Sequence, residues 1–405
     1  KNNIWKVIIV KKYTKTLILL SILIIVFYLI FSIKKDNKFI EFNNIENFKP
    51  NNLIDKSIQD NYFLYYPSDM RVSQSFTLIK QIDNKGNLIN SYKIFDDNNI
   101  NRFNIHPKIE DKENLYLSFY PPSLNNTFYK FDLSNNTFNK INLDYINSNV
   151  GVENIKHQGN DILFSTMSEY TKEEEKYNTE NFSFKTSISN FTTKQFYDLP
   201  YGYTINLQSN LLNFNNNIVC SVIDENNKNA LAFLNESGNF KIFTSPEIEN
   251  EYLYLISCDN DTLYLITENN KFIKLKKDLK YKITEFNKNY PNYLYDSSLL
   301  LDENNILVSL VNSDKKSSKN NKTILGILTI KPTIQFTPIN TFETSKGSIY
   351  KFQYMNKYNN IFIIEDKQND KGNVIILDYN NNFNIKNKIP ILYPHLLDLI
   401  VEIKN

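Results

Sequence analysis

The chain is poor in the residues that carry most recognisable functional signatures. Of 405 residues only 2 are Cys, 8 are Gly, 3 are His and 1 is Trp. Two cysteines, Cys220 and Cys258, are too few for a disulfide framework, and both sit in apolar strand-like runs that predict buried thiols. No phosphate-binding glycine loop, dinucleotide fingerprint, Gly-x-Ser-x-Gly or His-Glu-x-x-His occurs. An excess of one charge sign is also missing. The 46 basic and 44 acidic residues are interspersed and leave a net charge of +2, which gives nucleic acid no electrostatic footprint to bind. Arginine occurs only at Arg71 and Arg102, and alanine only at Ala230 and Ala232.

Asparagine is what the chain has instead, at about one residue in six. Asn, Lys, Ile, Tyr and Phe are the residues an AT-rich genome favours, so codon bias accounts for the abundance. The bias has a structural use all the same. Asn tolerates the left-handed backbone region better than most other residues, and with so few glycines the Asn-rich pairs must build many of the tight turns. Hydrophobic residues at 41% and aromatics at 14% are ample for a folded core.

The N-terminus reads separately. Residues 1–15 carry five lysines and form a basic tail. Thr16 to Ile33 is free of charge; its 18 residues, at about 1.5 Å each, make a helix long enough for a hydrocarbon core. The run has no small-residue cleavage site, which predicts an uncleaved transmembrane signal anchor. Lys11, Lys12 and Lys15 on one side balance Lys34, Lys35 and Lys38 on the other. The further Lys1 and Lys6, with the acids Asp36 and Glu41 beyond the span, favour a cytoplasmic N-terminus and an extracytoplasmic remainder, in a single-pass protein of the cell membrane. Residues 34–60 read as a mixed polar connector.

From Asn61 onward one pattern repeats. Its clearest marker is a short apolar strand bounded by Asn or a turn: Tyr62–Tyr66, Leu115–Tyr120, Ile162–Thr166, Ile218–Ile223, Leu263–Thr267, Ile306–Val311 and Ile361–Glu365. The seven recur about fifty residues apart, a period that points to a propeller. Each is followed by two more strand-like runs around a turn, such as Phe76–Ile82 and Leu88–Phe95 around Asn84-Lys85-Gly86-Asn87. Each but the first is preceded by another: Arg102–Ile105, Val152–His157, Tyr203–Gln208, Tyr252–Ser257, Tyr293–Leu301 and Ile349–Met355. Four strands per unit make one blade. The first unit has only the weak Leu53–Ile58 in the leading position, and Leu397–Ile403 is expected to supply the missing strand and close the ring. The Leu392–Ile403 stretch is compatible with a short helix or a strand. The expectation is therefore an all-β fold, a β-propeller of about seven four-stranded blades over residues 61–405, preceded by one transmembrane helix.

In architecture the repeat resembles the β-propeller superfamily in general. It lacks the Trp-Asp and Gly-His signature of WD40 repeats and the glycines of kelch repeats, so the resemblance brings no catalytic residues with it. Function is then expected in the connections. The segments between second and third strands are the variable ones, at Ser68–Gln74, Tyr120–Asn126, Ser168–Ser183, Asn312–Lys322 and Asp366–Asn373, and equivalent connections must share one face. Arg71 and Arg102 fall on that face in adjacent units, where planar guanidinium forks suit an anionic group; Tyr120 and Tyr170 lie in the same connections and complete the candidate ligand-binding set. His106 and His157 end first strands of neighbouring units, without a third ligand at a telling spacing. Acidic turns such as Asp259-Asn260-Asp261 and Asp224-Glu225-Asn226 lack the full calcium-loop series. No catalytic residue, metal ligand or cofactor is indicated. The leading expectation is a non-catalytic binding module for a protein or cell-envelope partner. The alternative is a propeller enzyme, a glycan hydrolase or lyase, with its site in the central channel.

Overall fold

A computed structural model describes residues 39–53, 60–67, 76–95, 102–106, 113–120, 126–146, 150–158, 160–172, 174–176, 182, 184–206, 210–312, 323–339, 349–367 and 370–404. The expected anchor over residues 16–33 lies outside the described residues. Among those described, no helix is long and apolar enough to cross a membrane.

The residues from Glu41 to Asn405 form one compact unit. It holds seven antiparallel sheets, one for each repeat, and is a seven-bladed β-propeller. Every marker strand is the second strand of its blade, for example Asn114–Tyr120 in blade 2 and Asn305–Asn312 in blade 6. The marker strands are buried on both faces because sheets pack against each side, which is why they read as continuous apolar runs rather than as alternations. Each interblade space has its own core. Leu163, Ile188, Val222 and Ala232 fill the one between blades 3 and 4; Tyr264, Ile266, Val308 and Leu310 fill the one between blades 5 and 6.

Blade 1 closes the ring. Its sheet runs, from the channel outward, Leu399–Lys404, Asp60–Tyr66, Thr77–Asp83, Leu88–Ile94, Ile40–Phe42. The C-terminal strand pairs antiparallel with the marker strand, Val401 opposite Phe63 and Ile400 opposite Leu64, as the missing leading strand required. The Leu392–Ile403 stretch resolves into a single 3-10 turn at Pro394–Leu396 and then this strand. The strand Ile40–Phe42 adds a fifth, outermost member to the blade, and Ile45 and Phe48 behind it are fully buried. Phe48 meets Phe63, Tyr65 and Tyr92 at ring separations of 5.7, 6.0 and 5.2 Å. Part of the stretch that reads as polar connector therefore packs into the first blade.

The turns use asparagine as its abundance suggests. Among the described residues, eight of the thirteen non-glycine positions with positive φ are Asn, including Asn136, Asn216 and Asn270. The acidic turns cap themselves: Asp259 Oδ1 accepts from the amides of Asp261 and Thr262, and Asp224 Oδ1 from those of Asn226 and Lys228. Cys220 and Cys258 form no disulfide; Cys220 is buried as expected, whereas Cys258 is only partly buried, its thiol donating to the Asn213 carbonyl at 3.1 Å.

Candidate functional site

An up-and-down blade fixes where its connections emerge. The links into first strands and the connections between second and third strands share one face, here called the loop face. The first-to-second and third-to-fourth turns share the other, the turn face. On the turn face the third-to-fourth turns are uniformly short, joining Asp83 to Leu88, Asp132 to Thr137 and Asn190 to Gln195. On the loop face the strand ends stand much further apart along the chain in blades 1, 3 and 6, from Tyr66 to Thr77, Ser168 to Lys185 and Asn312 to Thr323. In blades 4, 5 and 7 they are as close as on the turn face, from Asp224 to Asn229, Thr267 to Lys271 and Asp366 to Lys371, so the long segment expected at Asp366–Asn373 is a tight turn between paired strands.

Arg71 lies outside the described residues. Arg102 opens the first strand of blade 2 at the loop-face end, directly opposite Tyr120 in the sheet register. Two of the expected residues are thus brought together by the backbone of one blade. Tyr170 lies two blade positions on from blade 1, in the long connection of blade 3, half-buried. Burial raises the pKa of its phenol, helped by neighbouring Tyr201 and Glu174. That connection is held by Lys185, which bonds Glu174 at 2.7 Å and Asp198 at 3.2 Å. Large apolar side chains are exposed at loop-face strand ends in blades 1, 3 and 7: Phe95 (40%), Tyr201 (50%), Leu392 (54%) and Tyr393 (45%). The turn face shows Leu88, Tyr358 and Ile385 in the same state, so exposure alone does not separate the faces; the long connections of blades 1, 3 and 6 do.

His106 and His157 stand in first strands of blades 2 and 3, and their side chains lie outside the described residues. Among the described residues no group of three or more metal-ligating side chains converges.

The central channel holds features that the sequence does not announce. The first strands of blades 3, 5, 6 and 7 each slip register, at Val152/Ile155 (opposite Thr166 and Phe164), Leu255/Ser257, Tyr295/Ser297 and Phe352/Met355. In blade 4 the same strand is broken into Tyr203–Ile205 and Leu212–Phe214. Bulges re-aim side chains, and a ring of them turns extra residues out of the sheet alternation around the channel. A buried serine recurs in the second strand: Ser165, Ser221 and Ser309 lie opposite the slips or break of blades 3, 4 and 6, and Ser118 opposite the regular first strand of blade 2. Three of these hydroxyls serve the first strands. Ser118 Oγ donates to the Glu153 carbonyl at 2.6 Å, Ser165 Oγ accepts from the Asn154 amide at 3.2 Å, and Ser309 Oγ donates to Asp296 Oδ2 at 2.7 Å. The signal was present in the sequence as Leu-Tyr-Leu-Ser, Ile-Leu-Phe-Ser, Ile-Val-Cys-Ser and Ile-Leu-Val-Ser, four markers that end their apolar run with serine.

First strands of blades 3 to 6 enclose a cavity of about 360 Å³, lined among others by Lys156, Asn210, Tyr254, Tyr295, Asp296 and Ser297. Asn210 Nδ2 bonds the Leu255 carbonyl at 2.7 Å and Asn206 Nδ2 the Leu253 carbonyl at 3.4 Å, so side chains from the broken strand of blade 4 satisfy the open edge of blade 5. Deeper in blade 3, Glu153 is only 6% exposed and its Oε2 has no hydrogen-bond partner. Burial pushes its pKa up to about 7.

No family model matches the chain, and no curated protein does. Solved structures resemble it at low identity. A Bacteroides caccae protein of unknown function aligns with TM-score 0.39 at 8% identity over 70% of this chain and 95% of its own. The Dos1 propeller aligns with TM-score 0.39 at 15% identity over 60% of this chain and 62% of its own. A prolyl endopeptidase aligns with TM-score 0.46 at 10% identity over 84% of this chain, which spans about half (50%) of that enzyme.

Proposed function

We propose that this chain is a single-pass, membrane-anchored binding module whose extracytoplasmic propeller holds a protein or cell-envelope partner on its loop face. The observation that carries the reading is the inequality of the two faces. Short, self-capped third-to-fourth turns lie on one side, and the long connections of blades 1, 3 and 6, with exposed Phe95, Tyr201, Leu392 and Tyr393, lie on the other. A rigid ring that gathers its variable segments on one side is built for recognition. The backbone pairing of Arg102 with Tyr120 supports it, since the two positions stand opposite each other at one end of blade 2, and an arginine and a tyrosine are residue types suited to recognition. The uncharged run from Thr16 to Ile33 supports the anchor, and the lysine and acid distribution around it supports the orientation. The alternative, glycan hydrolysis in the channel, calls for two carboxyl groups set about 5 to 9.5 Å apart across a bound sugar. In the cavity lining, Asp296 is the one carboxylate among the described residues.

Removing residues 1–35 is expected to release a folded domain into the soluble fraction. In that form, Arg71→Ala with Arg102→Ala should weaken partner binding about tenfold or more and leave the melting temperature unchanged. Unchanged affinity removes the arginines from the surface, and continued sedimentation with membranes after a high-salt wash removes the single anchor.

A further inference from the structure

We propose that the mouth of the central channel between blades 5 and 6 binds a small organic ammonium group, held by Tyr252, Tyr254, Tyr295 and Asp296. The site is distinct from the loop-face contacts with a macromolecular partner and stands whether or not those are correct. It starts from a row of tyrosines, Tyr254 and Tyr295 on two adjacent first strands and Tyr252 just before the first of them. Tyr252 and Tyr254 lie 5.0 Å apart between ring centres, and Tyr254 and Tyr295 lie 4.6 Å apart. The first pair is tilted by 48° and the last by 51°, so the half-buried rings of Tyr252 and Tyr254 form a corner rather than a flat platform, with Tyr295, buried in the core between the blades, packed behind it. A sugar ring stacks on a flat aromatic face. A compact cation fits a corner, where it meets the electron-rich faces of more than one ring.

Asp296 supplies the charge. It stands at the register slip between Tyr295 and Ser297, which turns it out of the sheet alternation into the cavity lining, where it is exposed. Its carboxylate is held in place by hydroxyls: Ser309 donates to Oδ2 at 2.7 Å and Ser297 at 3.3 Å. Ser309 is fully buried, so this support is part of the blade rather than of the surface. Glu268 adds a second carboxylate to the neighbourhood. Its amide donates to the Tyr252 carbonyl at 3.3 Å and its carbonyl accepts from the Tyr295 amide at 3.2 Å, which ties it to both tyrosine strands. Burial first, then Tyr252, Glu268 and Asp296, raise the pKa of the Tyr254 phenol above the usual tyrosine value, so the ring stays neutral. Lys156 and Asn210 close the far wall, and a volume near 360 Å³ limits the occupant to a small molecule.

Calorimetric titration of the full chain with choline chloride tests the site, with potassium chloride as the ionic control and methyl glucoside as the neutral control. Saturable choline binding is expected, with none for either control. Asp296→Asn and Tyr254→Ala should each weaken it about tenfold or more, while Tyr254→Phe, which keeps the ring, should retain it. Arg71→Ala with Arg102→Ala should leave choline binding untouched, so a failed loop face and a failed ammonium site give different results. Absence of saturable choline binding, equal binding of methyl glucoside, or binding unaffected by both Asp296→Asn and Tyr254→Ala overturns the proposal.

Discussion

Glu153 shows what single residues add to this ring. It sits in the bulged first strand of blade 3 with an unpartnered carboxyl oxygen, and its pKa of about 7 against an ordinary 4.5 comes from burial. The folded state therefore holds a proton that the unfolded chain releases above about pH 4.5. Stability must fall as pH rises from about 4.5 to about 7 and level off above, by about 3 kcal/mol for a shift of this size. Glu153→Gln is expected to remove that decline and to raise the melting temperature at pH 8, as thermal unfolding across pH 5 to 8 will show. A variant with the same pH profile as the parent would mean that the carboxyl is hydrated. Nothing in the sequence marks this glutamate, because Val152-Glu153-Asn154-Ile155 reads as an ordinary alternating strand. Register slips are set by packing on the neighbouring strand, not by local propensity, and Asp296 was hidden for the same reason inside the run Tyr293–Leu301. Buried serine opposite the slip or break is the local trace, and it is found in blades 3, 4 and 6.

Elements were far more legible. The seven marker strands stand where their apolar runs lie, because a strand buried on both faces needs no partner to be recognised. The closing strand could be inferred too, since a ring with one leading strand short must find it elsewhere, and Leu399–Lys404 fills the place. The segment around Ile45 and Phe48 was not legible: two apolar residues amid Asn-rich sequence carry no period, and only the third dimension shows that they cover Phe63 and Tyr92. The closing strand buries Leu399, Ile400, Val401 and Ile403 almost completely. Ile400→Ala should cost about 2 to 5 kcal/mol. Loss of residues 391–405 should cost several kcal/mol more, since it also opens the inner edge of blade 1. Denaturant unfolding of both forms measures this, and equal midpoints for the truncated and complete chains would show that the ring does not depend on that strand.

At the scale of the whole molecule, topology does what no motif in this chain does. Seven up-and-down blades sort every connection to one of two faces, so the variable segments gather without any of them needing a signature. The sequence alone supports that sorting, and it brings Arg102 and Tyr120 to the same face. It could not assemble the channel mouth, because Lys156, Asn210, Tyr254 and Asp296 come from four blades and share only a radius. The central claim is that recognition belongs to the loop face. The most direct test compares two triple variants of the full chain in affinity capture from solubilised membranes. One carries Tyr201→Ser, Leu392→Ser and Tyr393→Ser on the loop face; the other carries Leu88→Ser, Tyr358→Ser and Ile385→Ser on the turn face. All six side chains are exposed and of similar kind, so the two sets should disturb the core equally little. The account predicts that the partner retained by the parent is lost from the loop-face variant and kept by the turn-face variant; retention by the loop-face variant, or loss from the turn-face variant alone, would contradict it.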